Sequence, residues 1–388
     1  VDQVSIRAGR FVQQQSGPDG FAAFLPAPLP PRPPLELDNA LRGSLERASH
    51  ALGQMDALSA FISPDHLLYV YVRKEAVLSS EIEGSQSTLA DLLRYEIAEV
   101  PGAPVDDVRE VSRYVAALQH GVRRLREGFP VCTRLVCEIH GELMRGEGRG
   151  GHQAPGEVRR SQAWIGGSRP GNARFVPPPP HEVGPALSAL ERFIHDEVDR
   201  TPPLLKAGLA HAQFETIHPF LDGNGRVGRL LITLLLCADG VLREPFLYLS
   251  LYFRRHRTAF YEALQRVRTH GDWEGWMRFY LQGVETVARE GAATTRALLE
   301  LFRQDAERLR AVGRGAPTAL RVHDLLCRRV IVTIPFAARE LGLSQPTVTA
   351  ALARMQALGI VREATGGKRR RQFVYTESLR LLDDGVLH

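Results

Sequence analysis

The sequence predicts a mainly α-helical protein with a β-hairpin and, toward its C-terminal end, a small winged helix-turn-helix domain. Three observations carry that prediction. Apolar residues recur at spacings of three and four along most of the 388 residues, the repeat of helices with one buried face. A single glycine- and proline-rich stretch, residues 148–183, interrupts the pattern. Beyond Pro317 the chain reads as helix, short turn, helix, then two strands joined by a basic loop, the order of a winged helix-turn-helix.

Taken in order, residues 1–34 read as a loosely ordered extension. Its "PAPLPPRPP" (26–34) favours extended polyproline conformation and suits neither a helix nor a central strand. From Leu35 the pattern turns helical, as in "DNALRGSLERASHALGQMDAL". In "SPDHLLYVYVRKEAVLSSEIEG", Ser63 is the expected N-cap, Pro64 the first helical residue and Gly84 the terminating glycine. Thr88 with Asp91 three residues on resembles a capping box. Residues 106–147 give two more helices. The interruption then contains two β-leaning pieces, "QAWIG" and "ARFV", and reads as a hairpin-bearing surface loop of the length that functional loops have. Helices resume near His181 and run through Ala207–Thr216. The nearly all-apolar "GRVGRLLITLLLCADG" follows and belongs at the centre of a bundle. Further helices cover about 251–269 and 272–312.

Hydrophobic content of 44% and charged content of 24% are those of an ordinary globular protein. The longest apolar run, Leu230 to Ala238, is too short to cross a bilayer, so no membrane partner is expected. The sequence has no basic region followed by an apolar core, and four cysteines (Cys132, Cys137, Cys237, Cys327) without C-x-x-C spacing. Together these make a reducing cytoplasm the expected location. The net charge of +5 is unevenly placed. Residues 316–388 hold eleven Lys/Arg against six Asp/Glu, so this segment carries the whole excess and points to an acidic partner.

The densest chemistry lies in "ETIHPFLDGNGRVGRLLITLLL" (215–236). Asn224 and Gly225 sit where a loop becomes a helix, whose first N–H groups attract anions. Gly223, Gly225 and Gly228 would let the backbone approach a ligand. Arg226 and Arg229, three apart, share a helix face and could both reach phosphate oxygens. Asp222 alone is a poor metal site, yet beside a polyphosphate one carboxylate suffices for Mg²⁺. His218 precedes Pro219, which biases its backbone toward an extended form, and is placed as a general base for a hydroxyl. With neither G-K-[ST] nor a preceding strand, the loop is not a Walker or Rossmann cradle. A "DGNG" alone is commonly a turn, but the joint set within twelve residues is not.

"HPFLDGNGRVGR" resembles the signature of the Fic (Fido) family, H-P-F-x-[DE]-G-N-G-R-x-x-R, at every specified position. The resemblance extends over roughly 130–285. It implies a helical fold with a β-hairpin flap, and transfer of AMP from ATP·Mg²⁺ to a Ser, Thr or Tyr hydroxyl of a target protein, the chain itself included. On that resemblance His218 is the base and Asp222 holds Mg²⁺. Gly223, Asn224 and Gly225 line the hole for the α- and β-phosphates. Arg226 meets the phosphate chain, and Arg229 the γ-phosphate. The stretch holding Trp164 and Ile165 is the flap that docks the target segment. "FYEAL" suggests Tyr261 beside the base of the nucleotide. "SSEIEG" (79–84) resembles the family's inhibitory motif, [ST]-x-x-x-E-[GN], through Ser79, Glu83 and Gly84. It implies that Glu83 pairs with Arg229 in place of the γ-phosphate.

The resulting domain plan is an extension (1–34), a helical region with the inhibitory motif (35–129), a catalytic core (130–285), a connecting helix (286–315) and a winged-helix domain (316–388). In the last, Thr347, Thr349 and Arg354 are expected on the recognition helix and Lys368 to Arg371 near DNA phosphates. A homodimer is compatible with both modules. Two other readings stay open: a DNA-binding regulator whose Fic domain senses nucleotide, and a Fic enzyme transferring a different phosphate-containing group.

Overall fold

The computed structural model describes residues 7–14, 20–59, 64–98, 105–146, 154–365 and 371–383. The elements begin with β1 (Gly9–Gln13), β2 (Ala22–Pro26), α1 (Asn39–Ser59), α2 (Pro64–Ile82) and α3 (Leu89–Ala98). They continue with α4 (Val105–Arg126), α5 (Thr133–Leu143), α6 (Pro180–Ile194), α7 (Pro203–Ile217), α8 (Asn224–Ala238), α9 (Ser250–Arg255) and α10 (Arg257–His270). Last come α11 (Trp273–Arg310), α12 (Ala316–Arg329), β3 (Ile331–Thr333), α13 (Ile334–Leu341), α14 (Gln345–Ala357), β4 (Val361–Glu363), β5 (Gln372–Tyr375) and α15 (Thr376–Asp383).

The chain forms two compact units. The first comprises Val1–Gly53, Arg113–Pro245 and Tyr252–Thr286, and the second Gln54–Ser112, Phe246–Leu251 and Val287–His388. In the first, α7 and α8 are the core. From Leu204 to Ile217 only Lys206 of α7 is not buried, and α8 is buried from Arg226 through Leu236, so the apolar run lies at the centre, as its composition requires. Around His211 of α7 stack Phe253, Phe260 and Trp276. The Trp276 indole N–H donates to the carbonyl of Gly208 at 2.9 Å.

The N-terminal stretch departs from the loose extension expected. β1 and β2 pair antiparallel, with Phe11 opposite Phe24. The Phe24 ring is buried against Phe175, its N–H donates to the carbonyl of Val176, and Arg7 grips Glu274 through two nitrogens at 2.6 and 2.7 Å. The partners that order these strands lie about 150 to 270 residues away in sequence, and the pairing runs on past Pro26, where the N–H of Ala27 donates to the carbonyl of Ala8.

In the second unit α12, α13 and α14 pack with a three-stranded antiparallel sheet of order β3-β5-β4. The helices α2 and α3 belong to this unit. Val70, Leu89 and Leu93 share one apolar cluster with Val330, Ile331, Val374 and Leu382. The buried Lys74 of α2 donates to the carbonyl of Leu382 at 2.9 Å. Apolar faces of α2 and α3, from the expected helical region 35–129, are thus completed by residues of the expected winged-helix segment 316–388. The Thr88–Asp91 capping box forms as expected, and α2 ends at Ile82 before Gly84 at φ +99°. Ser63 and Lys368 to Arg370 lie outside the described residues; Thr347, Thr349 and Arg354 lie on α14, and Arg371 is tied to Glu363 at 2.8 Å. All four cysteines are thiols, and among the described residues no helix is long and apolar enough to cross a membrane.

Candidate active site

The loop between α7 and α8 is built by backbone capping. The N–H of His218 closes α7 on the carbonyl of Phe214 at 2.9 Å, and His218 then takes a left-handed conformation, φ 51° and ψ 61°. The extended form expected from Pro219 is thus overturned. Closing the helix outweighs the bias of the following proline, and a buried arginine holds the result. Arg159 donates from Nε to the carbonyl of His218 at 2.8 Å, from Nη2 to that of Pro178 and from Nη1 to that of Ser161. Its own N–H reaches the carbonyl of Pro219. Burial pushes the Arg159 guanidinium down to about 10, so it stays charged at neutral pH among carbonyl dipoles.

Two further clamps set the far side of the loop. The Asn224 side chain pairs with Phe220 twice: Oδ1 accepts its N–H and Nδ2 donates to its carbonyl, both at 2.8 Å. The amide oxygen and one amide hydrogen are spent on the loop, while the main-chain N–H of Asn224 stands at the start of α8, where helix ends attract anions. Gly223 is left-handed at φ 78°; a Cβ there would stand 3.1 Å from the Met144 sulfur. His140, on the buried face of α5, lies flat on Phe220 with ring centroids 3.8 Å apart. Its Nε2 donates to the carbonyl of Asp222 at 3.2 Å, and its Nδ1 accepts the N–H of Gly156 at 2.9 Å. Burial, with Arg226 nearby, pushes its pKa down to about 4, so the ring is neutral.

The Asp222 carboxylate is half exposed. Oδ1 accepts the N–H of Gly223 at 2.6 Å and lies 3.6 Å from Nη2 of Arg226. Both Arg226 and Arg229 are buried on α8, which restricts two long side chains before any ligand arrives. Gly228 does different work from the close ligand approach expected of it. A Cβ there would lie 2.7 Å from Glu215 Oε1 and 3.3 Å from His211 Nδ1, so this glycine lets α8 approach α7. Gly225 is the second residue of α8 and is partly exposed. Among the described residues no three His, Cys, Asp or Glu gather to hold a metal. The donor set therefore fits only an ion that keeps waters and phosphate oxygens as its other ligands, as Mg²⁺ does.

The hairpin shrinks to a single bridge, Ile165 with Phe175. Phe175 is buried beneath the Arg268 guanidinium, 4.1 Å from its ring, and Ile165 packs on the Phe24 cluster, while Trp164 is 42% exposed. Thus Ile165 anchors the loop and Trp164 faces outward. Tyr261 lies on α10, partly exposed, with Arg257 5.8 Å from its ring. Ser79 is buried on α2 and Glu83 follows that helix; both belong to the second unit. Sequence reasoning missed His140 and Arg159. His140 could have been found as the polar member of the apolar stripe Leu135, Val136, Ile139, Leu143. Arg159 carried no local signal. A cavity of about 530 Å³ lies between the β1–β2 hairpin and α6, and none of the residues lining it belongs to this loop.

Residues 130–236 match the model of the Fic/DOC family, and residues 43–123 that of the Fic/DOC family N-terminal region. The chain is 30% identical over 236 residues to the protein adenylyltransferase Fic of Drosophila erecta, covering 58% of this chain and 43% of that protein. The Drosophila melanogaster protein of the same name gives 30% over 236 residues, 58% and 44%. The chain thus spans less than half the length of these curated relatives. Among solved structures, a Fic family protein from Desulfovibrio desulfuricans G20 superposes with a TM-score of 0.58 at 19% identity, over 88% of this chain and 97% of that one. Residues 134–508 of Fic-1 from C. elegans give 0.51 at 21%, over 66% and 73%. At these identities the likeness is one of fold.

Proposed function

Starting from a chain whose residues 43–123 and 130–236 match the Fic/DOC family models, we propose that it is a self-inhibited protein adenylyltransferase of that family. It transfers AMP from ATP to a Ser, Thr or Tyr hydroxyl of a target protein. The observation that carries this reading is the complete "HPFLDGNGRVGR" loop, held by Arg159, His140 and Asn224 at the start of α8, with two buried arginines on that helix.

In the proposed reaction the target hydroxyl attacks the α-phosphorus of ATP. The new O–P bond forms as the bond to pyrophosphate breaks, and the hydroxyl proton passes to His218. Gly223, the N–H groups of Asn224 and Gly225, and the guanidinium groups of Arg226 and Arg229 hold the phosphates in line, so most of the catalysis is positioning and charge neutralisation. Asp222 would hold Mg²⁺, which neutralises phosphate charge when bound. The left-handed backbone of His218 fixes where its ring enters the site. Trp164 and Ile165 are assigned to docking the target segment, and Tyr261 to the base of the nucleotide. Ser79, Glu83 and Gly84 form the brake: Glu83 takes the place of the γ-phosphate on Arg229 and leaves ATP misaligned. We also read α12 through β5 as a winged helix, a reading supported by the element order and by the β3-β5-β4 sheet.

The test is incorporation of label from α-³²P-ATP with Mg²⁺, on the chain itself and on added protein. Glu83→Gly should label strongly, the unaltered chain weakly, and Glu83→Gly with His218→Ala not at all. Label entering instead from γ-³²P-ATP or another nucleotide would replace the donor. Equal labelling with and without Glu83 would remove the brake.

A further inference from the structure

The cavity between the β1–β2 hairpin and α6 serves neither the transfer reaction nor the brake. It follows from the patterning of α6. Val183, Leu187, Leu190 and Phe193 turn one face of that helix into the core. Beside that face Ala186 and Ala189 carry short side chains that leave a gap, and Leu25, Pro26 and Pro28 form the opposite wall. The volume of about 530 Å³ is that of a small-molecule site, roughly 300–1,000 Å³. Three polar groups in the lining are uncommitted. Gln213 lines the cavity from α7 and is only 4% exposed. Its Nε2 donates to the carbonyl of Ala27 at 2.8 Å, while among the described residues nothing donates to its Oε1. A buried amide oxygen without a donor is costly, so this one calls for a partner inside the cavity. Arg10 of β1 and Arg192 of α6 also line it and are exposed. Among the described residues neither enters an ion pair or donates a hydrogen bond. Glu182 is the only carboxylate among the described lining residues, and it lies 3.9 Å from the His181 ring. Two guanidinium groups against one carboxylate leave the lining net positive.

We propose that this cavity binds a small organic anion with an apolar ring-sized body and one hydrogen-bond donor, such as an aromatic carboxylate bearing an N–H or a hydroxyl. The body lies between the Ala186–Ala189 stripe and the wall from Leu25 to Pro28. Arg10 and Arg192 supply the partners of its charge, and its donor meets Gln213 Oε1. Each feature of the lining excludes a simpler occupant. An inorganic anion would leave the apolar walls wet. A neutral ring would leave both guanidinium groups unused, and an ionised fatty acid has no hydrogen to give Oε1. The site is independent of the transfer reaction, since no lining residue belongs to the 218–229 loop.

The probe is 8-anilinonaphthalene-1-sulfonate, which combines a sulfonate, an N–H and aromatic rings, titrated into the full chain and followed by its fluorescence. One saturable site is expected. Indole-3-acetate, with a ring, an N–H and a carboxylate, should displace the dye. Indole, acetate and decanoate each lack one of the three features and should compete at least about tenfold more weakly. Arg192→Gln should weaken the dye at least about fivefold, and Ala189→Trp, which fills the gap, should remove the saturable signal. Because a bulky residue at 189 could shift α6, Arg10→Gln is run beside it. It should weaken the dye as Arg192→Gln does, with an unchanged melting temperature. The proposal is overturned if the chain shows no saturable site. It is overturned too if the dye binds the Arg192→Gln and Ala189→Trp chains as it binds the unaltered one, which would seat it on another surface. Decanoate competing as well as indole-3-acetate would make this a groove for acyl chains in which Gln213 has no part, and would end the proposal. So would sedimentation showing that Ala189→Trp breaks self-association and that the dye competes with it, which would make the cavity an interface between copies.

Discussion

His140 donates from Nε2 to the carbonyl of Asp222 and accepts at Nδ1 from Gly156, so protonating it would set one N–H against another. His211 is equally constrained: its Nδ1 donates to the carbonyl of Gly228 at 2.8 Å, and burial pushes its pKa down to about 3. Both rings are neutral when folded and titrate near 6.5 when unfolded. Their contribution to stability is therefore complete above about pH 6.5 and lost as the pH falls toward the folded values. By pH 5 each should cost about 2 kcal/mol. Melting temperatures taken from pH 7.5 to 5 should fall accordingly. His140→Gln should lower the melting temperature at pH 7.5 yet flatten that slope, and an unchanged slope would exclude His140 as its source. At this scale the sequence disclosed the residues of the loop, because the motif is local. It did not disclose those that hold the loop: Arg159 and His140 act from 59 and 82 residues away, and no spacing rule reaches that far.

Between elements, the decisive contact is the approach of α7 to α8. An alanine in place of a helical glycine ordinarily stabilises by up to about 1 kcal/mol. At Gly228 the added carbon would meet Glu215 Oε1 at 2.7 Å, His211 Nδ1 at 3.3 Å and the Phe214 ring at 3.3 Å. The carboxylate oxygen can swing aside, but both rings are buried and fixed by packing. The clash therefore wins, and Gly228→Ala should destabilise by about 1–3 kcal/mol, measured by thermal or urea unfolding. A neutral or stabilising result would mean that the helices can part without loss. The long apolar run of α8 was legible because its composition alone demands burial. The β1–β2 pair was not, because two five-residue strands beside a proline run have almost no local preference and are ordered by Phe175 and Glu274. The left-handed turn at His218 was misread for a related reason. The proline rule acts on one dihedral pair, whereas the helix end and Arg159 act on the whole loop.

Across the whole chain, α2, the helix that leads into Glu83, is packed in the second unit with the C-terminal sheet. Val70 of α2 and Ile331 of β3 share one cluster, and Lys74 is bound to the carbonyl of Leu382. The sequence could not reveal this, because each helix offers an apolar stripe without naming the partner that covers it, and charge and composition drew a boundary at residue 316 that packing ignores. The arrangement gives the proposed brake a dependence on the C-terminal core. Ile331 is fully buried, and Ile331→Ala should destabilise by about 2–5 kcal/mol by opening a cavity in the cluster that seats α2. If Glu83 restrains transfer from that seat, Ile331→Ala should raise labelling from α-³²P-ATP in a chain that keeps Glu83. In a Glu83→Gly background the same change should add nothing, because the contact it loosens is already gone. Equal increases in both backgrounds would mean that the cavity acts on the catalytic core by another route. A lowered melting temperature with unaltered labelling would mean that the position of α2 does not depend on this cluster.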